Sequence, residues 1–157
     1  MQIVDLDDLD YPMFIVTARA GDELAGCLVG FATQCSIHPL RFIVCLSDKN
    51  HTFGVAQRAE VLGVHAVPDE AVELAELFGS TTGDEVDKFA QASWREGPGG
   101  VPVLDDCHNW FAGRILERIP GGDHWAFFLE PLQGEDDERQ GTFTFQEARW
   151  IVPGHEA

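Results

Sequence analysis

One short segment of the chain combines hydroxyl, amide and basic side chains in a pattern that suits anion binding. Residues 47–52 read Ser-Asp-Lys-Asn-His-Thr, directly after an apolar run and before a sequence with helical character. Backbone N–H groups at a helix start, together with hydroxyls and a lysine, favour an anion. The segment therefore indicates an anion site formed by Ser47, Lys49, Asn50 and Thr52, or else a plain capped helix start.

A histidine that follows a glycine-rich turn is the second group suited to chemistry. Gly121-Gly122-Asp123-His124 lies between two runs with strand composition. A histidine at the mouth of a cleft can donate a hydrogen bond or act as a general acid, because it titrates near neutral pH. His124 is therefore either a functional side chain or an exposed histidine on a hairpin turn.

The four cysteines give little indication of a metal or disulfide site. No pair has C-x-x-C spacing, and Cys27 and Cys45 lie in apolar runs, where a free cysteine behaves as a small hydrophobic residue. Cys107 and His108 are adjacent, so on a strand their side chains point to opposite faces. A metal or haem site that uses these two residues and one further ligand remains an alternative function. No residue is assigned as a metal ligand.

Composition limits the classes of function. The chain has 157 residues, 45% of them hydrophobic, which predicts a single domain over 1–157 with a real core. Ten Lys and Arg face 27 Asp and Glu, for a net charge of −17, which disfavours nucleic acid and anionic membranes as partners. Without a signal sequence or a long apolar run, the chain is expected to be cytoplasmic.

Strands must position most of these groups. The hydrophobic pattern predicts strands over 11–18, 24–31, 41–46, 61–67, 101–104, 110–119, 124–132 and 142–145. It predicts helices over 51–60 and 70–78, the latter capped by Asp69, and a third helix start in a capping box over 82–85. The predicted class is β-dominated α+β, most simply a small barrel with helices plugging its openings.

The order of the motifs along the chain is more informative than any one of them. They are F-x-T-Q-C-S-I-H-P (31–39), S-x-x-N-x-T (47–52), V-L-G-V-H-A-V (61–67), L-x-x-x-F (74–78), G-D-E-V-D-K-F (83–89), G-V-P-V-L (100–104) and G-D-H (122–124). Over 11–132 this series resembles the flavin reductase-like, FMN-binding split-barrel family.

The resemblance implies a fold and an activity. It implies a six-stranded FMN-binding split barrel with short flanking helices, in a homodimer with flavin near the interface. It further implies reduction of FMN or FAD by NADH or NADPH, with hydride transfer to flavin N5. The reduced flavin would then be available to a separate monooxygenase partner.

The resemblance also implies roles for particular residues. Residues 27–31 would line the isoalloxazine ring, with Gly26 and Gly30 letting a flat ring approach the backbone. The hydroxyl and amide residues of 47–52 would hold the ribityl phosphate, two later residues would close over the flavin, and His124 would face the nicotinamide. The implied cofactor-binding residues are Cys27, Leu28, Val29, Gly30, Phe31, Ser47, Lys49, Asn50, Thr52, Lys88 and Phe89.

In one segment the chain departs from the family pattern. Where the family often has T-x-S-S, this chain has Cys27-Leu28-Val29-Gly30, so hydroxyls that would bond the flavin ring edge are missing. Either backbone N–H groups replace them or the flavin is held differently. A flavin-binding or electron-carrier protein without turnover is the alternative that this departure leaves open.

Overall fold

The computed structural model describes residues 4–80 and 87–152. Within them the chain forms strands β1 (Phe14–Ala20), β2 (Glu23–Val29), β3 (Ala32–Ser36), β4 (Arg41–Ser47), β5 (Val61–Ala66), β6 (Trp94–Glu96), β7 (Pro102–Leu104), β8 (Trp110–Pro120) and β9 (His124–Glu135). The helices are α1 (His51–Ala56), α2 (Val72–Ser80) and α3 (Phe145–Ala148), with 3₁₀ turns at Lys88–Ala90 and Pro98–Gly100. None of these described helices has the length and apolar character needed to cross a membrane.

The main sheet is antiparallel throughout and has seven strands in the order β2-β1-β5-β8-β9-β4-β3. Strands β6 and β7 form a separate hairpin. The prediction of a β-dominated α+β fold with a few short helices is therefore confirmed. The seventh strand, β3, was not predicted, because Thr33, Gln34 and Cys35 are exposed on an edge strand and give no apolar alternation.

Both faces of the sheet are covered, which explains the near-continuous apolar sequence of β1. Val16 packs in one core with Leu62 and Phe127, and α1 closes this core with Val55. The next residue along the strand, Ile15, packs in a second core on the opposite face, where α2 contributes Ala75 and Phe78. Successive strand residues point to opposite faces, so both side chains are buried.

A fully buried histidine fastens β7 to the main sheet. His65 on β5 has Nδ1 2.9 Å from the Ile15 carbonyl oxygen, and its Nε2 accepts from the Leu104 N–H at 3.1 Å. Since Nε2 accepts, Nδ1 carries the proton and the ring is neutral. Burial lowers the pKa of His65 from 6.5 to about 4, which keeps that neutral form at ordinary pH.

Several predicted element boundaries are wrong, among them the start of β1, which lies at Phe14 rather than at residue 11. Helix α1 ends at Ala56 rather than at residue 60, and the Arg118 guanidinium donates to the Ala56 carbonyl there. Helix α2 begins at Val72, and the backbone N–H of Asp69 bonds to the Gly141 carbonyl instead of opening the helix. Residues 142–145 make only isolated bridges to the residues opposite them before α3 begins. The capping box at 82–85 lies outside the described residues.

The two ends of the described chain are fastened together. The side-chain amide of Gln146 donates to the Asp7 and Leu9 carbonyls, both at 2.8 Å. Phe145 donates its backbone N–H to the Tyr11 carbonyl at 2.9 Å. Residues 142–152, the C-terminal segment, are thereby held against the chain that leads into β1.

Candidate functional site

Two adjoining cavities form a groove beside β2, β4 and the C-terminal segment. Their volumes are about 270 and 490 Å³. Seven residues line both cavities, so they form one continuous space that we call the groove. The shared residues are Met13, Leu28, Phe31, Ser47, Asn50, His124 and Phe145.

The groove brings together much of the predicted site. Each residue of the predicted segment 27–31 lines it, as do Ser47, Asn50 and His124. The backbone explains why: after β2 the chain turns, and the Phe31 carbonyl accepts from the Cys45 N–H at 2.8 Å. This bond joins the end of the predicted ring-binding segment to the middle of β4.

The outer edge of β2 offers backbone groups to the groove. Strand β2 is the first strand of the sheet, paired only with β1 among the described strands. The Gly26 carbonyl accepts from the Lys88 ammonium, so it points away from β1. Backbone polar groups alternate along an antiparallel strand, so those of Leu28 point the same way as those of Gly26. Leu28 also lines the groove, and its outward-pointing N–H and C=O have no strand partner among the described strands.

His124 lies opposite Ser47 in the register of β4 and β9. Its Nδ1 is 2.7 Å from Oδ1 of Asp123, and its ring centroid is 5.2 Å from that of Phe31. The hydrogen bond from His124 lowers the pKa of the Asp123 carboxyl. The ionised Asp123 carboxylate accepts a hydrogen bond from Nδ1–H of His124. Nε2 is therefore the ring nitrogen that can contact a ligand.

Segment 47–52 is a capped helix start. Oδ1 of Asn50 accepts from the Thr52 N–H at 2.9 Å, and Oγ of Ser47 accepts from the Lys49 N–H at 3.3 Å. Thr52 is buried and Lys49 is exposed, whereas Ser47 and Asn50 line the groove. The structure therefore unites two of the four predicted anion ligands and places the other two outside the groove lining.

The structure buries Lys88 and Phe89 beside the outer edge of β2, and neither residue lines the groove. Lys88 is only 5% exposed, and its ammonium donates to the Gly26 carbonyl at 3.0 Å and to the Phe78 carbonyl at 3.1 Å. Burial lowers its pKa. Phe89 packs edge-on against Phe78 and Trp94. A lysine is needed here because the edge carbonyl of β2 has no strand partner.

The two glycines expected to admit a flat ring are covered by side chains of the chain itself. A Cβ added at Gly26 would lie 2.7 Å from Cε1 of Phe78, and one at Gly30 would lie 2.8 Å from Cε2 of Tyr11. At Gly26 the flat ring that approaches the backbone is that of Phe78, so the approach of a flavin ring to this glycine stays a prediction.

Sequence reasoning missed the residues that the chain ends contribute to the groove. Tyr11 and Phe145 stack with ring centroids 4.8 Å apart, and Met13 and Arg149 line the same space. Nothing local marks these residues, because they meet only after the two ends of the chain pair. The one sequence signal is the spacing of the aromatic residues 143 and 145, which by itself predicts a strand.

Two of the four cysteines, Cys27 and Cys107, are buried thiols, whereas Cys35 is exposed and Cys45 is partly buried. Burial raises the pKa of Cys27 to about 11 and that of Cys107 to about 12. His108 is exposed and lines a separate cavity of about 830 Å³ with acidic walls. Within residues 4–80 and 87–152 no group of three or more His, Cys, Asp or Glu side chains is arranged to hold a metal ion.

Solved structures with the same architecture exist. An NADH:FAD oxidoreductase from Streptomyces globisporus superposes with a TM-score of 0.84 at 20% identity, covering 91% of this chain and 85% of that one. An FMN-binding protein from Thermus thermophilus gives 0.78 at 26% identity, covering 84% and 75%. The fold described above is thus the fold of these flavin proteins.

Proteins with similar sequences are also named as flavin reductases. An "FMN reductase (NADH) RutF" of Bradyrhizobium diazoefficiens is 28% identical over 73% of this chain and 63% of its own length. A "Probable flavin reductase" of Rhizobium meliloti is 26% identical over 82% of this chain, which spans 44% of that protein. The family described as "Flavin reductase like domain" matches residues 6–150. The chain therefore belongs to the flavin reductase-like family.

Proposed function

We propose that the protein binds a flavin nucleotide in the groove and catalyses its reduction by NADH or NADPH. The observation that carries this proposal is the convergence of Leu28, Ser47, Asn50 and His124 on one groove in a chain of this family. A bound flavin would supply the electron-accepting ring, and the reduced nicotinamide would supply the hydride that passes to flavin N5.

The residues present fit a flavin. An isoalloxazine ring is flat and largely apolar with a polar edge, and the groove offers the apolar side chains of Met13, Leu28 and Phe31. The outward-facing N–H and C=O of Leu28 can bond such an edge. Backbone groups thus replace the hydroxyls that Cys27 to Gly30 lack, and binding of this kind needs no particular side chain there.

His124 is assigned to the nicotinamide side of the groove. Asp123 fixes its ring through Nδ1, which holds the tautomer and the orientation. A histidine held in this way can donate from Nε2 to a bound ligand when protonated, and it can accept when neutral. Its role in the proposal is to orient the reductant beside the flavin and to exclude water.

The choice of nucleotides is proposed from the relatives. One is named an FMN reductase using NADH, and a solved neighbour is a NADH:FAD oxidoreductase in complex with NAD and FAD fragments. We propose FMN or FAD as the flavin and NADH as the preferred reductant. A relative from Rhodococcus jostii is the reductase subunit of a flavin-dependent monooxygenase, so a monooxygenase is the proposed recipient of reduced flavin.

We further propose that the sheet forms a split barrel and that two copies pair. The Cys45 N–H to Phe31 carbonyl bond supports near-closure of the sheet, since it links the continuation of its first strand to β4. Pairing of two copies follows from the family resemblance. Sedimentation of the purified protein would give twice the 17.3 kDa chain mass if this proposal is correct.

The test is a titration of the purified protein with FMN, followed by addition of NADH. Binding is expected to perturb the absorption spectrum of the flavin and quench its fluorescence, and catalysed oxidation of NADH is expected to follow. Absence of flavin binding would contradict the proposal at its first step.

A second candidate is a flavin-binding protein without turnover. It is favoured by the missing hydroxyls at 27–30 and by the likeness to the Thermus FMN-binding protein. In the same experiment it would give FMN binding without acceleration of NADH oxidation.

A further inference from the structure

The charged side chains of the groove come from the two chain ends. Among the described residues lining it, Arg149 is the one lysine or arginine, and Asp7 is the one carboxylate. Both lie on the same cavity as Ser47 and Asn50. The positive charge on this wall therefore comes from the C-terminal segment and not from Lys49 or Lys88.

Arg149 is anchored but not neutralised. Its Nη1 donates to Oε1 of Gln146 at 2.8 Å, and Gln146 is in turn bound to the Asp7 and Leu9 carbonyls. Its guanidinium carbon lies 5.9 Å from the Trp150 ring. Within the described chain no carboxylate forms an ion pair with it. Most of its five N–H donors remain available for a ligand.

A flavin nucleotide needs such a group on this protein. The chain carries a net charge of −17, which opposes entry of a phosphate. A guanidinium binds phosphate through a planar fork of donors, and the Ser47 hydroxyl and Asn50 amide on the same cavity add neutral polar contacts. We propose that Arg149 binds the phosphate of the flavin nucleotide, so that the C-terminal segment completes the site. This inference rests on the proposed function.

Removing the charge of Arg149 and removing that of Asp7 should change the affinity for FMN in opposite directions. Removing the charge of Arg149 should weaken FMN binding and leave riboflavin, which has no phosphate, unaffected. Removing the charge of Asp7 should tighten FMN binding and again leave riboflavin unaffected. The preference for FMN should also fall as salt rises, since Arg149 is exposed.

The experiment measures dissociation constants for FMN and riboflavin by flavin fluorescence. In R149Q the preference for FMN over riboflavin should fall about tenfold, R149K should retain part of it, and D7N should raise it. R139Q is the matched control, because Arg139 is paired with Asp137 and lines the other cavity. Circular dichroism and the melting temperature of each variant report on folding.

An unchanged FMN preference in R149Q, with wild-type protein preferring FMN, would overturn the inference. So would an equal loss of both flavins, which would mean that Arg149 only supports the fold. If R149Q instead raises KM for NADH with riboflavin as acceptor, the phosphate belongs to the nicotinamide nucleotide and the inference is wrong. Failure of wild-type protein to bind either flavin would contradict the proposed function itself.

Discussion

His124 and His65 show that the surroundings of a histidine determine its role. His124 is partly exposed, lines the groove and has its Nδ1 beside the Asp123 carboxylate. His65 is fully buried between a carbonyl acceptor and an N–H donor. The first is arranged to meet a ligand and the second to hold strands together, so substitutions should affect different measurements.

His124→Ala should lower kcat/KM for NADH-dependent flavin reduction by about 10- to 100-fold, because a positioned hydrogen-bonding group is lost. FMN affinity should change far less, since the flavin contacts proposed for Leu28 remain. Steady-state kinetics and a flavin titration separate the two effects. His108→Ala is the control, because that exposed histidine lines the other cavity. Equal kinetics in wild type and H124A would remove His124 from the site.

His65 should make stability depend on pH. Its folded pKa of about 4 lies below its ordinary value of 6.5, so the unfolded chain binds the proton first and stability falls as pH drops from 6.5 towards 4. The expected loss is about 1.5 kcal/mol between pH 6.5 and 5. Urea unfolding at several pH values measures it.

The control for that prediction is His65→Gln, which removes the titrating group. Its unfolding free energy should vary less with pH over the same window, although it will be lower at pH 7 because buried partners are disturbed. Parallel pH profiles for wild type and H65Q would show that His65 does not titrate as described.

At the scale of elements, β2 shows what the sequence predicts and what it hides. Its strand character and its hairpin with β1 are predicted from residues 11–31, and β1 and β2 do pair as a hairpin. The hydrogen bond that covers the outer edge of β2 could not be predicted, because Lys88 and the Gly26 carbonyl are 62 residues apart in the sequence. The same holds for Tyr11, Phe145 and Arg149: local patterns locate strands, whereas contacts between chain ends depend on the assembled fold.

Gly26→Ala should destabilise the protein by about 1–3 kcal/mol, because the new methyl group would meet the buried Phe78 ring at 2.7 Å. Gly54→Ala is the matched control: it lies in α1 with nothing within 4 Å of the added Cβ, and it should be neutral or stabilising. Chemical denaturation measures both. Equal stability of G26A and wild type would mean that Phe78 does not pack on β2 as described.

Lys88→Met should lower the free energy of unfolding by about 2 kcal/mol, because two buried carbonyls lose their donor. FMN affinity should stay within about twofold of wild type, since Lys88 does not line the groove. Lys49→Met, at an exposed position, should leave stability unchanged. A large loss of FMN affinity in a stably folded K88M would restore the role that the family resemblance implies for Lys88.

At the scale of the whole molecule, the groove lies where β2, β4, β9 and both chain ends meet. Apolar cores on both faces of the sheet hold the strands in place. The C-terminal segment then adds aromatic and charged side chains to the groove beside β2 and β4. The single-domain organisation over 1–157 stays a prediction. We propose that this arrangement both binds flavin and accelerates its reduction.

Anaerobic mixing of FMN-loaded protein with NADH tests both parts of this proposal in one experiment. Oxidised flavin absorbs at about 450 nm, and this absorbance is lost on reduction. We expect bleaching of the bound flavin to be at least about 100-fold faster than that of free FMN at the same NADH concentration, because the two reactants are held together. Bound FMN that bleaches no faster than free FMN would contradict the account.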